Sequence, residues 1–334
     1  MVPGARQPRL VLLLICAVLA LAATGCSRAR PLAPEPELRV AVDAENPVLA
    51  LPLYVASSRG MFAGERLRVS LVEARDADAV TAALGGGQCN LGAAAFDQVL
   101  RSGGAGKPLT AFLLMSRSPM LVLVSAGFLP FPRGGAKSGK VAVGRRGDAS
   151  ELFAHYVSEG IAVPKGGAVG AAAAFRRRET AVAVLDAAAV NELEARRAPV
   201  EVLADTRTLA GLLAVYGVSD YPASCVYAAP EFLPAHEDQA RRFARAVVQA
   251  AQWIRAHDAA SCVQALPESA SRGVDADALA MTVEQARALF SVDGALTMAG
   301  AEAARKALAA SDERFREGVV PPESSTRKYV DPRP

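Results

Sequence analysis

The chain has 334 residues, of which 51% are hydrophobic and 5% aromatic, and this length suffices for two ordinary domains with their own cores. Its 37 basic and 34 acidic residues leave a net charge of +3. Apart from a run at residues 176–178, which we interpret as a solvated helix face, no basic cluster stands out. The composition therefore gives no support for nucleic-acid binding.

Residues 1–25 have the pattern of a signal peptide. Arg6 and Arg9 precede an apolar run at residues 10–23, which is shorter than the ~20 residues that cross a bilayer comfortably. A basic start, a short apolar core and small residues at the end are typical of secretory signals. We therefore expect export from the cytoplasm and exclude these residues from the fold.

The signal peptide leads into the sequence ATGC at residues 23–26, which resembles a bacterial lipobox. That resemblance implies lipidation of Cys26 and a lipid anchor in the cell membrane, on its periplasmic or extracellular face. The alternative is a soluble secreted protein in which this cysteine has no such role. Residues 26–37 are rich in proline and polar residues and are predicted to be a tether.

Strand and helix patterns alternate along the next part of the chain. The predicted strands are residues 38–42, 66–72, 90–94, 109–115 and 121–125, and the predicted helices are residues 49–60, 76–84 and 95–101. This alternation predicts a doubly wound α/β lobe.

Residues 141–160 predict a buried strand that turns sharply into a helix. The apolar run 141–143 fits a parallel strand, and a glycine-containing loop follows it. Asp148 and Glu151 form a capping-box pattern, and Gly160 is the predicted C-cap.

This strand–loop–helix unit predicts a ligand contact. Small ligands bind at the carboxyl ends of parallel strands, and free amides at a helix N-terminus favour an anion. Arg145 and Arg146 lie in the loop and would strengthen that preference. The alternative is an ordinary loop with two solvated arginines.

The remaining sequence predicts the rest of a second lobe and a return to the first. Predicted strands are residues 181–185, 200–203 and 221–228, and predicted helices include residues 167–178, 187–196, 277–290 and 296–310. Between them, Phe243, Val247, Ala251 and Ile254 repeat at helical spacing and predict one long amphipathic helix, with Trp253 in the core.

Three stretches of the chain resemble a known family. They read PLYVASSRGMFAGERLRVSLVEA, AVTAALGGGQCNLGAAAF and APEFLPAHEDQARRFARAVVQAAQWIRAHDAASCVQAL. They are similar to the substrate-binding proteins of nitrate/sulfonate/taurine ABC transporters. The chain departs from that pattern at Asn90, where Asp is usual, and at Arg59, where Lys is usual. Neither departure changes the expected fold.

The resemblance implies an α/β, two-lobed periplasmic-binding-protein-like fold of type II (Venus flytrap) with a two-strand hinge. Lobe one is expected at residues 38–124 and 224–318, lobe two at residues 125–223, and a C-terminal tail at residues 319–334. The two crossings between the lobes are expected near Ser125 and Ser224.

The function implied is that of the extracytoplasmic substrate-binding component of an ABC importer, which captures a small anionic or heterocyclic solute. The expected partners are that small-molecule ligand, the ABC permease subunits and, through the lipid anchor, the membrane. The protein is expected to be a monomer without a cofactor, a bound metal, catalytic residues or a nucleic-acid partner. It has no GxxxxGK[ST] motif, so ATP hydrolysis would belong to another subunit.

The candidate ligand-binding residues lie in loops that follow successive strands or begin helices. They are Asn46, Ala95, Phe96, Ser116, Arg117, Arg146, Ser150 and Asp186. Phe96 is expected to stack on a flat or apolar group. Arg146 is expected to bind an anion. For Asp186 the alternative is a helix N-cap alone.

Two other functions stay open at this point. One is an enzyme similar to the thiamine-pyrimidine synthases, which share the fold but use clustered cysteines and an active histidine. This chain has no such cluster, and its three histidines lie far apart in sequence. The other is the ligand-sensing lobe of a signalling system. The sequence also leaves open whether Cys225 and Cys262 form a disulfide.

Overall fold

The computed structural model describes residues 37–127 and 139–317. The predicted signal peptide, the lipidation site Cys26, nearly all of the tether and the C-terminal tail lie outside these residues. No helix in the described ranges is both long and apolar enough to cross a membrane.

Within the described ranges, ten strands form two five-stranded sheets. In chain order they are β1 (Leu38–Asp43), β2 (Val69–Ala74), β3 (Leu91–Ala94), β4 (Thr110–Ser116), β5 (Leu121–Ala126), β6 (Lys140–Val143), β7 (Ile161–Pro164), β8 (Val182–Asp186), β9 (Val200–Asp205) and β10 (Ser224–Ala228). The first sheet has the order β2-β1-β3-β10-β4, and the second has the order β7-β6-β8-β5-β9.

The two sheets share one topology. In the first, β1 pairs in parallel with β2 and β3, and β10 runs antiparallel between β3 and β4. In the second, β6 pairs in parallel with β7 and β8, and β5 runs antiparallel between β8 and β9. The predicted α/β two-lobed fold is confirmed.

Helices connect and cover these strands. They are α1 (Leu51–Ser58), α2 (Met61–Gly64), α3 (Ala77–Gly85), α4 (Asp97–Gly104), α5 (Ala149–Val157), α6 (Ala168–Arg176), α7 (Ala187–Ala195), α8 (Leu209–Tyr216), α9 (Phe232–Ala235), α10 (Glu237–Ala256), α11 (Ala259–Val263), α12 (Glu268–Ser271), α13 (Ala276–Arg287) and α14 (Met298–Ala309). Short 3-10 helices lie at Pro47–Ala50 and Glu313–Phe315.

The ends of several helices are fixed by side-chain caps. Asp76, Asp148 and Asp186 begin α3, α5 and α7, and each accepts a hydrogen bond from the backbone amide three residues later. Helix α5 ends at Val157, so the predicted C-cap at Gly160 is wrong. The helix ends early because Ser158 is already extended, and strand β7 starts at Ile161.

The chain crosses between the sheets at residues 117–120 and again at residues 217–223. The expected first crossing near Ser125 is therefore wrong. Strand β5, which contains Ser125, pairs with β8 and β9 of the second sheet. An apolar strand pattern identifies a strand but not the sheet that receives it, so the boundary could not be read from the sequence.

The C-terminal helices of lobe one also contact lobe two. Asn191 of α7 donates hydrogen bonds to Thr282 Oγ1 at 3.0 Å and to Gln285 Oε1 at 3.1 Å, both on α13. Arg207 donates to Asn191 Oδ1 at 3.1 Å and forms an ion pair with Glu194 at 2.9 Å. This buried polar network joins the lobes at one edge of the cleft.

Candidate ligand-binding cleft

Two cavities lie between the sheets, beside the carboxyl ends of parallel strands. Their volumes are about 80 Å³ and about 310 Å³. Both are lined by residues from each lobe. They share a common wall formed by Glu45, Asn46, Leu49, Pro119 and Arg145. We call them the first and second cavity.

A guanidinium group spans the cleft at this common wall. Arg145, in the loop between β6 and α5, places Nη1 at 3.0 Å from Asp76 Oδ2 and 3.3 Å from Glu45 Oε2 in lobe one. Arg101 of α4 reaches in the other direction and donates to the carbonyl of Gly147 at 3.4 Å. These contacts exist only when the lobes are close, so the structure is a closed form.

In the loop that was expected to bind an anion, the backbone amides donate hydrogen bonds to side chains of the same segment. Asp148 Oδ2 accepts from the amide of Arg145 at 2.5 Å, and its Oδ1 accepts from the amide of Glu151 at 2.9 Å. Glu151 Oε2 accepts from the amide of Gly147 at 2.5 Å. Ser150 Oγ accepts from the amide of Gly144 at 2.7 Å and donates to Asp148. Few amides are left for an external anion.

Carboxylates dominate the polar lining of the first cavity. Six acidic side chains face two guanidinium groups, those of Arg145 and Arg146. The acidic residues are Asp43, Glu45, Asp76, Asp78, Asp97 and Asp148. Asp43, Asp76 and Asp97 lie at or just after the ends of β1, β2 and β3. The loops that follow these parallel strands lie close together.

Burial perturbs several of these carboxyl groups. Asp43 is 8% exposed, and burial raises its pKa to about 6, although hydrogen bonds from Asn46 and from the amide of Glu45 oppose the shift. Burial likewise raises the pKa of Glu45 to about 7 against the attraction of Arg145. Burial raises the pKa of Asp97 while Arg101, at 3.1 Å, lowers it. Each of these anions is held in the cleft at a free-energy cost.

Aromatic rings form another part of the first cavity's wall. Tyr216, at the end of α8, and Tyr221, in the second crossing, both line the cavity and stack with ring centroids 4.1 Å apart. Tyr156 of α5 stacks on Tyr216 at 5.1 Å. The stack holds the rings in place beside the carboxylates.

The second cavity is larger and less charged. Its charged lining consists of Glu45, Arg145, Asp186 and Arg272, and most other lining residues are small or apolar. Asp186 Oδ1 accepts from the amide of Ala189 at 2.8 Å, and burial raises its pKa. Asp186 therefore caps α7 and also lines the cleft.

Four of the eight predicted ligand-binding residues line the cavities. Ala95 and Arg146 line the first cavity, Asp186 lines the second, and Asn46 lines both. Asn46 also donates from Nδ2 to Asp43 Oδ2 at 2.9 Å, which fixes the orientation of that carboxylate.

The other four lie elsewhere. Phe96 is fully buried in the core, so the predicted stacking on a ligand is wrong. Ser116 is buried and donates to the carbonyl of Ser118. Ser150 forms hydrogen bonds with Gly144 and Asp148, beside it in the same segment. Arg117 lies at a separate surface depression beside Asp293, at 3.4 Å. These residues do follow strands or begin helices, but none of the four lines either cavity.

Sequence reasoning missed most of the acidic lining and both tyrosines. A signal for Asp43, Asp76 and Asp97 was present, because each lies at or just after the carboxyl end of a predicted parallel strand. Tyr216 and Tyr221 carried no such signal. Tyr216 reaches the cleft because it lies at the end of α8, a helix that the sequence did not predict. Tyr221 reaches it because it lies in the second crossing.

Comparisons with known proteins agree with this architecture. Residues 48–127 match the family model described as NMT1/THI5 like. A solved protein of Bordetella bronchiseptica RB50 is 28% identical, with a TM-score of 0.75 over 89% of this chain and 96% of that one. No curated protein sequence matches the chain.

Two further solved structures are more distant in sequence. The periplasmic aliphatic sulphonate binding protein SsuA of Escherichia coli is 15% identical, with a TM-score of 0.68 over 89% of this chain and 99% of that one. A ligand-binding component of an ABC-type import system from Staphylococcus aureus is 12% identical, with a TM-score of 0.63 over 85% and 94% of the two chains. This chain has the periplasmic-binding-protein fold. The predicted resemblance to the nitrate/sulfonate/taurine binding proteins is confirmed.

Proposed function

We propose that the protein is the extracytoplasmic substrate-binding component of an ABC importer. The observation that carries this proposal is the pair of cavities between two lobes that Arg145 holds together through Glu45 and Asp76. A ligand enclosed there contacts both lobes only in the closed form. The similarity in fold to binding components of import systems supports the same function.

The binding cycle follows from the geometry. In an open form the carboxylates of lobe one and the loop of Arg145 and Arg146 would be solvated separately. A ligand that contacts both lobes binds the closed form more tightly and shifts the population toward it. The two crossings at residues 117–120 and 217–223 are short segments that can absorb the rotation. The closed form then docks on the permease, which receives the solute.

Binding without chemistry is part of the proposal. Neither cavity is lined by a cysteine or a histidine from residues 37–127 or 139–317. Cys89, Cys225 and Cys262 are all buried and unpaired as thiols. An enzyme of the thiamine-pyrimidine synthase kind would need a reactive cluster in the cleft, and the described lining offers none.

The N-terminus would tether this binding unit to the membrane. We propose that residues 1–25 are removed and that Cys26 is acylated, because the sequence there has both signals. Intact-mass analysis of membrane-extracted protein should show an acylated Cys26 at the N-terminus. The Cys26→Ser variant should appear in the soluble fraction. An unmodified cysteine in the wild-type protein would contradict the anchor but leave the binding function intact.

The test of binding is a thermal-shift screen of small solutes followed by solution scattering. A true ligand raises Tm because it binds the native state alone, and it should lower the radius of gyration as the lobes close. Cells that lack the protein should take up the same solute more slowly. A ligand that raises Tm without compaction, and whose uptake does not depend on the protein, would contradict the proposal.

A further inference from the structure

We propose that the first cavity binds its solute through a positively charged nitrogen, such as a protonated amine, an amidine or a guanidine, which Asp43 and Asp97 accept. This inference rests on the proposed function and names the chemical class of the substrate. It replaces the expectation of an anionic ligand, which depended on Arg145 and Arg146.

The balance of charge in the cavity favours a cation. Six carboxyl groups line it against two guanidinium groups, and one of those, Arg145, is engaged by Glu45 and Asp76. A narrow cleft with low-dielectric walls concentrates the field of such groups. An entering anion would meet that field unfavourably, whereas an entering cation would lower the free energy of the whole cluster.

Asp43 is the most direct acceptor for such a cation. It is 8% exposed, lines the cavity, and its oxygens accept only from neutral donors, the amide of Glu45 at 3.0 Å and Asn46 Nδ2 at 2.9 Å. Within the described ranges no cationic group lies within 4 Å of it. A buried carboxylate without a cationic partner is costly. A ligand cation would supply that partner.

Asp97 provides a second buried acceptor, which unlike Asp43 already has one cationic partner. It is 6% exposed and lines the cavity from the first turn of α4. Arg101, its partner, bonds to Oδ2 at 3.1 Å from the next turn of the helix and is not part of the lining.

Arg145 shows that this cleft accommodates a planar cation. Its guanidinium lies against two carboxylates of lobe one at the common wall of the two cavities. The protein thus already uses a guanidinium–carboxylate contact to close its lobes. A ligand cation in the first cavity would add a second contact of the same type beside it.

The remaining lining suits the rest of such a molecule. Tyr216 and Tyr221 offer aromatic surface beside the carboxylates. The first cavity, about 80 Å³, admits a small charged head. The second cavity, about 310 Å³ and mostly apolar, adjoins it and can receive a flat or aliphatic body.

The test compares probes of similar shape and opposite charge. Benzamidine is paired with benzoate, and methylguanidine with acetate, by calorimetry and thermal shift at pH 7.5. We expect benzamidine or methylguanidine to bind at least tenfold more tightly than its anionic counterpart. Asp43→Asn should weaken the cation at least tenfold. Asp238→Asn, the same charge change on the exposed face of α10, should leave it unchanged.

The outcomes separate this inference from the proposed function. Binding of benzoate or acetate with no binding of either cation overturns the cation inference, while the substrate-binding function stands. Failure of both cations to bind at 10 mM also overturns the cation inference. The substrate-binding function is then tested separately, by the solute screen and solution scattering described above. If Asp43→Asn does not fold, Asp97→Asn serves as the second variant, and the wild-type comparison of charge pairs still decides the question.

Discussion

Arg145 of lobe two lies 3.0 Å from Asp76 of lobe one, so an ion pair spans the cleft between the lobes. The side chain of Arg145 is 34% exposed and that of Asp76 is 14% exposed. Solvent therefore screens the pair, and contacts of this kind contribute about 1 kcal/mol or less. The pair biases the lobes toward closure without locking them.

The Arg145→Ala variant should open the ligand-free protein. Loss of about 1 kcal/mol would lower the closed-to-open ratio about fivefold, and the radius of gyration from solution scattering should rise. The matched control is Arg176→Ala, which removes an ion pair with Glu192 inside lobe two. An unchanged radius for Arg145→Ala would show that other contacts hold the lobes together.

Arg146 should not help to bind the ligand. Its exposed side chain lines the first cavity, so its charge opposes a cation there. The Arg146→Ala variant should bind benzamidine as tightly as the wild type or up to about fivefold more tightly. A tenfold weaker affinity for benzamidine, measured by calorimetry, would show that Arg146 supports the bound cation instead of opposing it.

The stability of the free protein should depend on the protonation of Asp43. Its pKa rises to about 6 through burial, and among the charged groups that face it Asp76 raises that value and Arg145 lowers it. The folded state therefore holds this proton more tightly than the unfolded chain, whose aspartates titrate near 3.9. The resulting stabilisation is complete below about pH 4 and is lost as pH rises to about 6.

The Asp43→Asn variant should remove that dependence. At pH 7.5 it should be more stable than the wild type by about 1–2 kcal/mol, because it buries no anion. Urea unfolding between pH 4 and pH 8 measures the difference. A variant that is less stable than the wild type at pH 7.5 would show that the carboxylate already has a sufficient partner.

The hydrogen-bond network of Asn191 should contribute to stability. Asn191 is 5% exposed, and its amide joins Thr282 and Gln285 of lobe one to Arg207 of lobe two. Asn191→Ala should lower the free energy of unfolding by about 1–3 kcal/mol, since it leaves buried partners unsatisfied. Gln264→Ala, at an exposed position on the surface, should cost less than about 0.5 kcal/mol.

The three thiols of the folded unit should be unreactive until it unfolds. Cys89, Cys225 and Cys262 are buried and free, and burial raises the pKa of each. A chain that begins at residue 27 should give no colour with a thiol reagent at pH 8 and three equivalents in denaturant. Fewer than three equivalents without reductant would reveal a disulfide between two of them.

The sequence predicted the fold better than the site, for a physical reason. Strand and helix periodicity reports which residues face a core, and it located most elements from β1 to α14 within two or three residues. The short strand β7, the helix α8 and the short helices α2, α9, α11 and α12 were missed. Helix α8 is apolar around its circumference, with exposed Leu209 and Leu213, so it lacks the pattern of a surface helix.

The site depends on relationships that periodicity does not contain. Arg145 pairs with Glu45, one hundred residues away in sequence, and not with an external anion. This pairing follows only from the closed arrangement of the lobes. The capping pattern of Asp148 and Glu151 predicts where α5 begins, but not which loop amides these carboxylates occupy. Carboxylates that cap the loop also occupy the amides that an anion would need.

The second sheet is built from one continuous part of the chain, whereas the first needs β10, which arrives from beyond lobe two and lies between β3 and β4. Lobe two can therefore assemble as soon as its own residues are available. The first sheet stays incomplete until β10, in the C-terminal third of the chain, is available to pair with β3 and β4. A fragment that ends before residue 224 should therefore contain all five strands of the second sheet but only four of the first.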